Sequence, residues 1–340
     1  MEPVTHALTS LALARAGQRT LPRHGTAILL VAGLAPELDY ASYFGGPAAF
    51  LRLDRSLLHS VPGAAAVACA TAAGFWAADR RTNRGAASGP RLGFLPALLV
   101  AATGALGNIL LDLSSGTGVQ LLWPLHIHRY AWNLLTNLDP WILILLLAGL
   151  LLPELLRLVS EEIGERRKRA RGRTAAILVL ALVVGYVGAR AVLHSQAADL
   201  LMSRDYHGRA PLSAGAFPSS TSPLEWRGVV ATEDTIEEAR IPLGPGTEFD
   251  AERTLTHYKP PDSSALEAGE RADATEMYLK YARFPLARMS QLEDGYRVEV
   301  RDLQFPPEDR NPANTFVRVD VDSRLRIVRQ QILFVASPNP

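Results

Sequence analysis

Two kinds of hydrophobic pattern divide the chain. The first part carries long apolar runs, and the last part alternates apolar and polar residues. Five stretches, residues 26–43, 61–78, 92–113, 141–159 and 174–193, reach or approach the roughly 18–20 residues that a helix needs to cross a bilayer. A weaker run, residues 4–21, either spans or dips in as the first arm of a helical hairpin. Residues 142–152 and 179–192 are apolar on nearly every face, which argues for lipid rather than a soluble core around them. The expectation is a helical membrane bundle of five to six spans over residues 1–195. A linker follows over 196–222, then a small, mainly antiparallel β domain over 223–340.

The strand signals of that last part are period-two runs. Residues 296–301 and 316–321 alternate strictly, and 325–328 follow after an Asp322-Ser323 turn, as in a hairpin. Residues 226–232 and 276–283 are further strand candidates. The polar interval 242–274 reads as a loop with one short helix. His207 and His257 read as isolated surface residues.

Charge adds direction. Arg15, Arg19 and Arg23 mark the first turn, Arg80, Arg81, Arg84 and Arg91 follow the third run, and Arg157, Arg166, Arg167, Lys168, Arg169, Arg171 and Arg173 crowd the connection before the last. The positive-inside rule puts these connections in the cytoplasm. The C-terminal domain is then extracytoplasmic and the protein sits in the cytoplasmic (inner) membrane. Positive charge that follows the first apolar run, rather than preceding it, is not the order of a cleavable signal. Net charge of +1 gives no electrostatic reason for a nucleic-acid partner, so the expected partners are membrane lipids and a lipid-derived or small-molecule substrate. The single cysteine, Cys69, excludes an intrachain disulfide and a CxxC metal or redox motif.

The same topology gathers polar residues at one membrane face. Glu37 and Asp39 end one run, Asp54 and His59 lie in the next outer connection, Asn108 and Asp112 end the third strong span, and Asp139 precedes the fourth. His6 joins them if the first run enters from outside. Asn108 and Asp112, four positions apart, share a helix face. Imidazole with carboxylate oxygen is the ligand mix of hydrolytic metal sites, in which bound water becomes a nucleophile near neutral pH. The expected ligands of a divalent metal (Zn, Mn or Mg) are His6, Glu37, Asp39, Asp54, His59 and Asp112. Asp139 or Glu37 is the expected general base.

These residues also carry a resemblance. Met1-Glu2-Pro3-Val4-Thr5-His6-Ala7-Leu8, Ala35-Pro36-Glu37-Leu38-Asp39, Asp54-Arg55-Ser56-Leu57-Leu58-His59-Ser60, Asn108-Ile109-Leu110-Leu111-Asp112, Gly118-Val119-Gln120-Leu121-Leu122-Trp123-Pro124 and Asp139-Pro140 resemble, in order, motifs of the YdjM-like, LexA-regulated inner-membrane metal-dependent hydrolases. The likeness covers roughly residues 1–160. Residues 295–305 and 316–334 resemble the outer domain of longer members. The resemblance implies a helical metal site and hydrolysis. Glu37 replaces an aspartate of the family pattern, Asp54 and Asn108 each replace a histidine, and Ser56 and Leu58 replace a glycine and a threonine. His126 and His128 stand in the same outer connection, as replacement ligands or as interfacial histidines beside Trp123, Tyr130 and Trp132. Three functions follow: a membrane-bound metal-dependent hydrolase acting on lipid-derived phosphoesters, a non-catalytic membrane protein that binds through its outer domain, and an ion-coupled transporter. The last is disfavoured because the polar groups share one face rather than the membrane midplane.

Overall fold

The computed structural model describes residues 1–82, 91–162, 171–306 and 311–335. Arg84, Arg166, Arg167, Lys168 and Arg169, on which part of the expected orientation rests, lie outside them. The chain divides into two compact units: residues 1–39 with 55–191, and residues 40–54 with 192–340.

The first unit is helical. It holds α1 (Pro3–Ala16), α2 (Gly25–Leu34), α4 (Val61–Thr82), α5 (Phe94–Leu113), α6 (Pro140–Glu162) and most of α7 (Arg171–Met202). Four of these, α4 to α7, are long and apolar enough to cross a membrane. Their outward faces remain apolar: Leu178, Leu182 and Val184 of α7 are 59%, 58% and 73% exposed. A continuous apolar surface of that kind is solvated by lipid, not water.

The run at 26–43 does not form a fifth span-length helix. α2 has 10 residues, about 15 Å at 1.5 Å per residue, and gives way to a 3-10 stretch, Ala35–Gly45. Pro36 lies at the change; it has no N–H to donate, and its ring restricts the residue before it. α1, with 14 residues, is also shorter than the roughly 30 Å hydrocarbon layer. The two short helices instead pack against each other and against their longer neighbours.

Small residues set that packing. Ala32, Ala68, Ala72, Ala97, Ala101 and Ala105 are buried between α2, α4 and α5. α2 meets α5 at glycine: a Cβ added to Gly104 would stand 2.8 Å from the Leu29 carbonyl oxygen and 3.1 Å from the Gly33 nitrogen. Only a residue without a side chain lets the two backbones come so close.

In the second unit, residues 40–54 include α3 (Pro47–Leu53), whose Leu51 is buried with the C-terminal core. Strands β1 (Ser213–Pro218), β2 (Glu225–Ala231), β3 (Thr235–Pro242) and β4 (Leu255–Tyr258) form an antiparallel sheet in chain order. β5 (Pro285–Leu292), β6 (Gly295–Asp302), β7 (Thr315–Val321) and β8 (Ile327–Phe334) form a second. Their alternating burial, complete in β7, is the period-two pattern made physical. α8 (Ser264–Glu270) and α9 (Asp273–Leu279) cover the second sheet through Leu266, Ala272 and Tyr278.

Three local readings change. Residues 196–222 are not simply a linker: α7 continues to Met202, and β1 pairs with β2. The strand candidate at 276–283 is no strand: residues 276–279 belong to α9, and Ala274 and Met277 pack at helical spacing against the core of the second sheet. The interval 242–274 contains β4 as well as α8.

Candidate metal centre

Helix geometry brings the polar residues together. α1 and α2 form a hairpin, so His6 near the start of α1 and Glu37 just beyond α2 return to one level. Asp112 ends α5, which packs on both helices. His6, Glu37 and Asp112 each offer a ligand atom, all within 4.8 Å of one another. His6 Nε2 lies 3.3 Å from Glu37 Oε1 and 3.5 Å from Asp112 Oδ1. The His6 and Asp112 side chains are fully buried, and Glu37 is 19% exposed.

His59, at the turn that precedes α4, completes the group. Its Nε2 is 3.0 Å from Asp112 Oδ2 and 3.7 Å from Glu37 Oε1. Its Nδ1 is 3.1 Å from Asp39 Oδ2, which also accepts a hydrogen bond from the Leu58 N–H. Asp39 therefore faces the far side of the imidazole. A carboxylate there favours a proton on Nδ1 and turns Nε2 toward the centre. Asn108 donates from Nδ2 to Glu37 Oε1 at 2.9 Å and to the Gly33 carbonyl at 3.0 Å. The Met1 nitrogen contacts Asp112 Oδ1.

The hydrogen bonding is incomplete where a ligand would be needed. His6 Nε2, His59 Nε2 and Asp112 Oδ2 are buried and have no hydrogen-bond partner. The 3.0 Å approach of His59 Nε2 to Asp112 Oδ2 lacks hydrogen-bond directionality. Buried polar atoms normally find partners, since leaving one unpaired costs about 1–3 kcal/mol. Two imidazole nitrogens and a carboxylate oxygen converging without hydrogen bonds form a donor set that fits a divalent cation.

Arg55, part of the Asp54–Ser60 motif but not of the expected ligand set, also reaches this group. Its backbone is left-handed, with φ of 51°, and its guanidinium donates from Nη1 to Ser115 Oγ at 3.0 Å and Thr117 Oγ1 at 2.7 Å. Nη2 donates to the Met1 carbonyl at 3.3 Å and stands 3.5 Å from Asp112 Oδ1. The Gly118–Pro124 motif supports this segment through its backbone: the Gln120 N–H donates to the Arg55 carbonyl and the Val61 N–H to that of Leu121. Gly118 has φ of 66°, and a Cβ there would come within 2.5 Å of the Tyr130 carbonyl oxygen.

The remaining expected site residues have surroundings of their own. Asp54 is buried at the end of α3, in the second unit. Asp139 caps α6, accepting from the Trp141 and Ile142 N–H groups at 3.1 and 3.2 Å, with the Tyr186 hydroxyl at 3.5 Å. His126 and His128 are exposed, and His128 packs edge-on against Tyr130. In the second unit, His207 and His257 are not isolated: they contact Glu252 at 3.1 Å and Glu238 at 2.8 Å.

Comparison with curated proteins and with solved structures gives no match. Comparison with known families matches residues 1–197, more than half of the chain, to one described as YdjM inner membrane protein. The apolar helices α4 to α6, most of α7 and the sequence motifs around His6, Glu37, His59 and Asp112 fall within the matched residues, and this chain belongs to the YdjM inner membrane protein family.

Proposed function

We propose that the protein is a membrane-bound, divalent-metal-dependent hydrolase whose metal is held by His6, Glu37 and Asp112, with His59 as the further nitrogen donor. The observation that carries this reading is the set of buried, unpartnered atoms, His6 Nε2, His59 Nε2 and Asp112 Oδ2, turned toward one another. A bound divalent ion would act as a Lewis acid and lower the pKa of its water toward about 7. Asp39 holds the His59 tautomer, and Asn108 steadies Glu37. Glu37, the most exposed carboxylate of the group, is better placed to take a proton from water than Asp139, whose Oδ1 caps α6.

The side of the membrane rests on the distribution of Lys and Arg, which favours the centre and the C-terminal unit outside the cytoplasm. A site at that boundary meets lipid-derived phosphoesters. Cysteine labelling of intact cells, with a probe at Asp262, reacts from outside if this orientation holds; reaction only after permeabilisation reverses it.

Elemental analysis of the gently purified protein tests the metal. We expect about one ion per chain, lost in His6→Ala and His59→Ala and kept in His207→Ala. Wild type with no metal and no thermal stabilisation by Zn²⁺, Mn²⁺ or Mg²⁺ leaves the second reading, a non-catalytic member of the family. The amide at Asn108 favours that alternative, because it donates to Glu37 and the Gly33 carbonyl and replaces an imidazole of the family pattern.

A further inference from the structure

Arg55 belongs to no set of metal ligands, yet its cationic head stands at the rim of the centre. Asp112 is its nearest acid, 3.5 Å away, and that carboxylate also faces His6, His59 and Met1. The hydrogen bonds that fix the guanidinium go to neutral acceptors: the hydroxyls of Ser115 and Thr117 and the carbonyl of Met1. Such acceptors orient an arginine without neutralising it. A left-handed φ at a non-glycine residue is uncommon, and here it belongs to the residue that presents this charge.

The side chains around the centre differ in exposure. His6 and Asp112 side chains are sealed and His59 is 2% exposed, whereas Glu37 is 19% and Arg55 12% exposed. Beside the buried donors, Arg55 is therefore a cation that solvent reaches and Glu37 an acid that solvent reaches. Bonds from Nη1 and Nη2 hold the guanidinium in place, and a guanidinium so oriented is suited to the oxygen atoms of a phosphoryl group.

We propose that Arg55 is the anion-binding residue of this centre and that its ligand is a phosphoryl oxyanion, supplied either as a lipid headgroup or as a free phosphate. The proposal rests on the metal-centre reading for the place of the phosphoryl group, but its own test does not require hydrolysis.

The test uses the full chain in detergent or lipid nanodiscs, with metal content measured first. Thermal stability is then followed against inorganic phosphate, and binding against vesicles of phosphatidylcholine with or without phosphatidate. Wild type should respond to at least one phosphate source. Response to phosphatidate alone identifies a headgroup, and response to both identifies the phosphoryl group itself. Arg55→Gln should keep the metal and weaken that response about tenfold or more. Arg55→Lys, which retains charge without the planar fork, should fold like wild type and recover part of it. A wild-type response to neither source, or an Arg55→Gln variant that folds and binds phosphate as tightly as wild type, overturns the proposal. If wild type holds no metal but phosphate binding still depends on Arg55, the metal reading falls and the anion site stands. If it holds metal and phosphate binding is indifferent to Arg55, the reverse is true.

Discussion

Each unit buries carboxylates, and the candidate centre of the first treats its own differently from the second. In the second unit Glu237 accepts from the hydroxyls of Thr235, Thr254 and Thr256 at 2.7, 2.6 and 2.8 Å. Asp302 accepts from the N–H groups of Arg283, Phe284 and Gln304, each at 2.9 Å. Those carboxylates are saturated, and their role is to hold strands and turns. In the first unit, Asp112 Oδ2 and two imidazole nitrogens lie together without hydrogen bonds. Burial alone does not mark a functional acid; burial with bonding capacity left over does.

Two histidine–carboxylate pairs sharpen that contrast most. Asp39 faces His59 Nδ1, and Glu238 faces His257 Nε2. Asp39→Asn should lower metal affinity about 10–100-fold, because it loosens the tautomer that aims His59 Nε2. Glu238→Gln should leave metal content unchanged. Isothermal titration of the metal-stripped protein checks both, and equal effects from the two would erase the distinction between the units.

The saturated side of the comparison predicts a stability effect instead. Asp302→Ala strands three N–H donors and should destabilise the protein by about 3 kcal/mol, with metal content per folded chain unchanged. Denaturant unfolding of the full chain, followed with elemental analysis, measures both quantities.

Gly104→Ala probes how far the centre depends on helix packing. Its Cβ would press on the Leu29 carbonyl and the Gly33 nitrogen, so α2 must move at a cost of about 1–3 kcal/mol. Asn108 and Asp112 lie one and two turns further along α5, so the shift should also weaken metal binding. Metal affinity unchanged beside a lowered melting temperature would show that the centre tolerates that movement.

The smallest expected effect is pH dependence in the second unit. Burial by itself would raise the Glu237 carboxyl, but hydrogen bonds from Thr254, Thr235 and Thr256 outweigh it and hold it below its ordinary value. A folded pKa below the unfolded one contributes stability that is present above about pH 4.3 and is lost as pH falls through the folded value. Burial pushes Asp302 the other way despite its three backbone donors. Its contribution is present below its unfolded value and lost as pH rises through the folded one. Glu237→Gln should therefore flatten the acid side of the stability profile, measured by denaturant midpoints from pH 3 to 6. A steeper acid side would contradict the hydrogen-bond account.

How much of this was legible in the sequence follows from the range of each interaction. Local pattern determined the helices α4 to α7, since an apolar run of span length has one low-energy form in lipid. It also determined β6 and β7, where alternation is strict. The residue types of the centre were visible too, because ionisable groups at the ends of apolar runs are costly and stand out. Pattern was weaker at α9, where an alternating stretch was short enough to suit helix or strand until packing on the second sheet selected the helix. It missed β1, β3, β4 and β5, each held in place by pairing with another strand.

Which polar residues meet was decided by tertiary structure alone. Sequence placed six candidate ligands and Asp139 at one depth, but depth is a single coordinate. The α1–α2 hairpin and the glycine contact between α2 and α5 supplied the others. They brought His6, Glu37 and Asp112 within 4.8 Å, turned Asp39 to the back of His59 and left Asp139 to cap α6. They also set Arg55 beside Asp112, 57 positions away in the chain. Spacing along a helix fixes a face; only packing between helices fixes which faces share a centre.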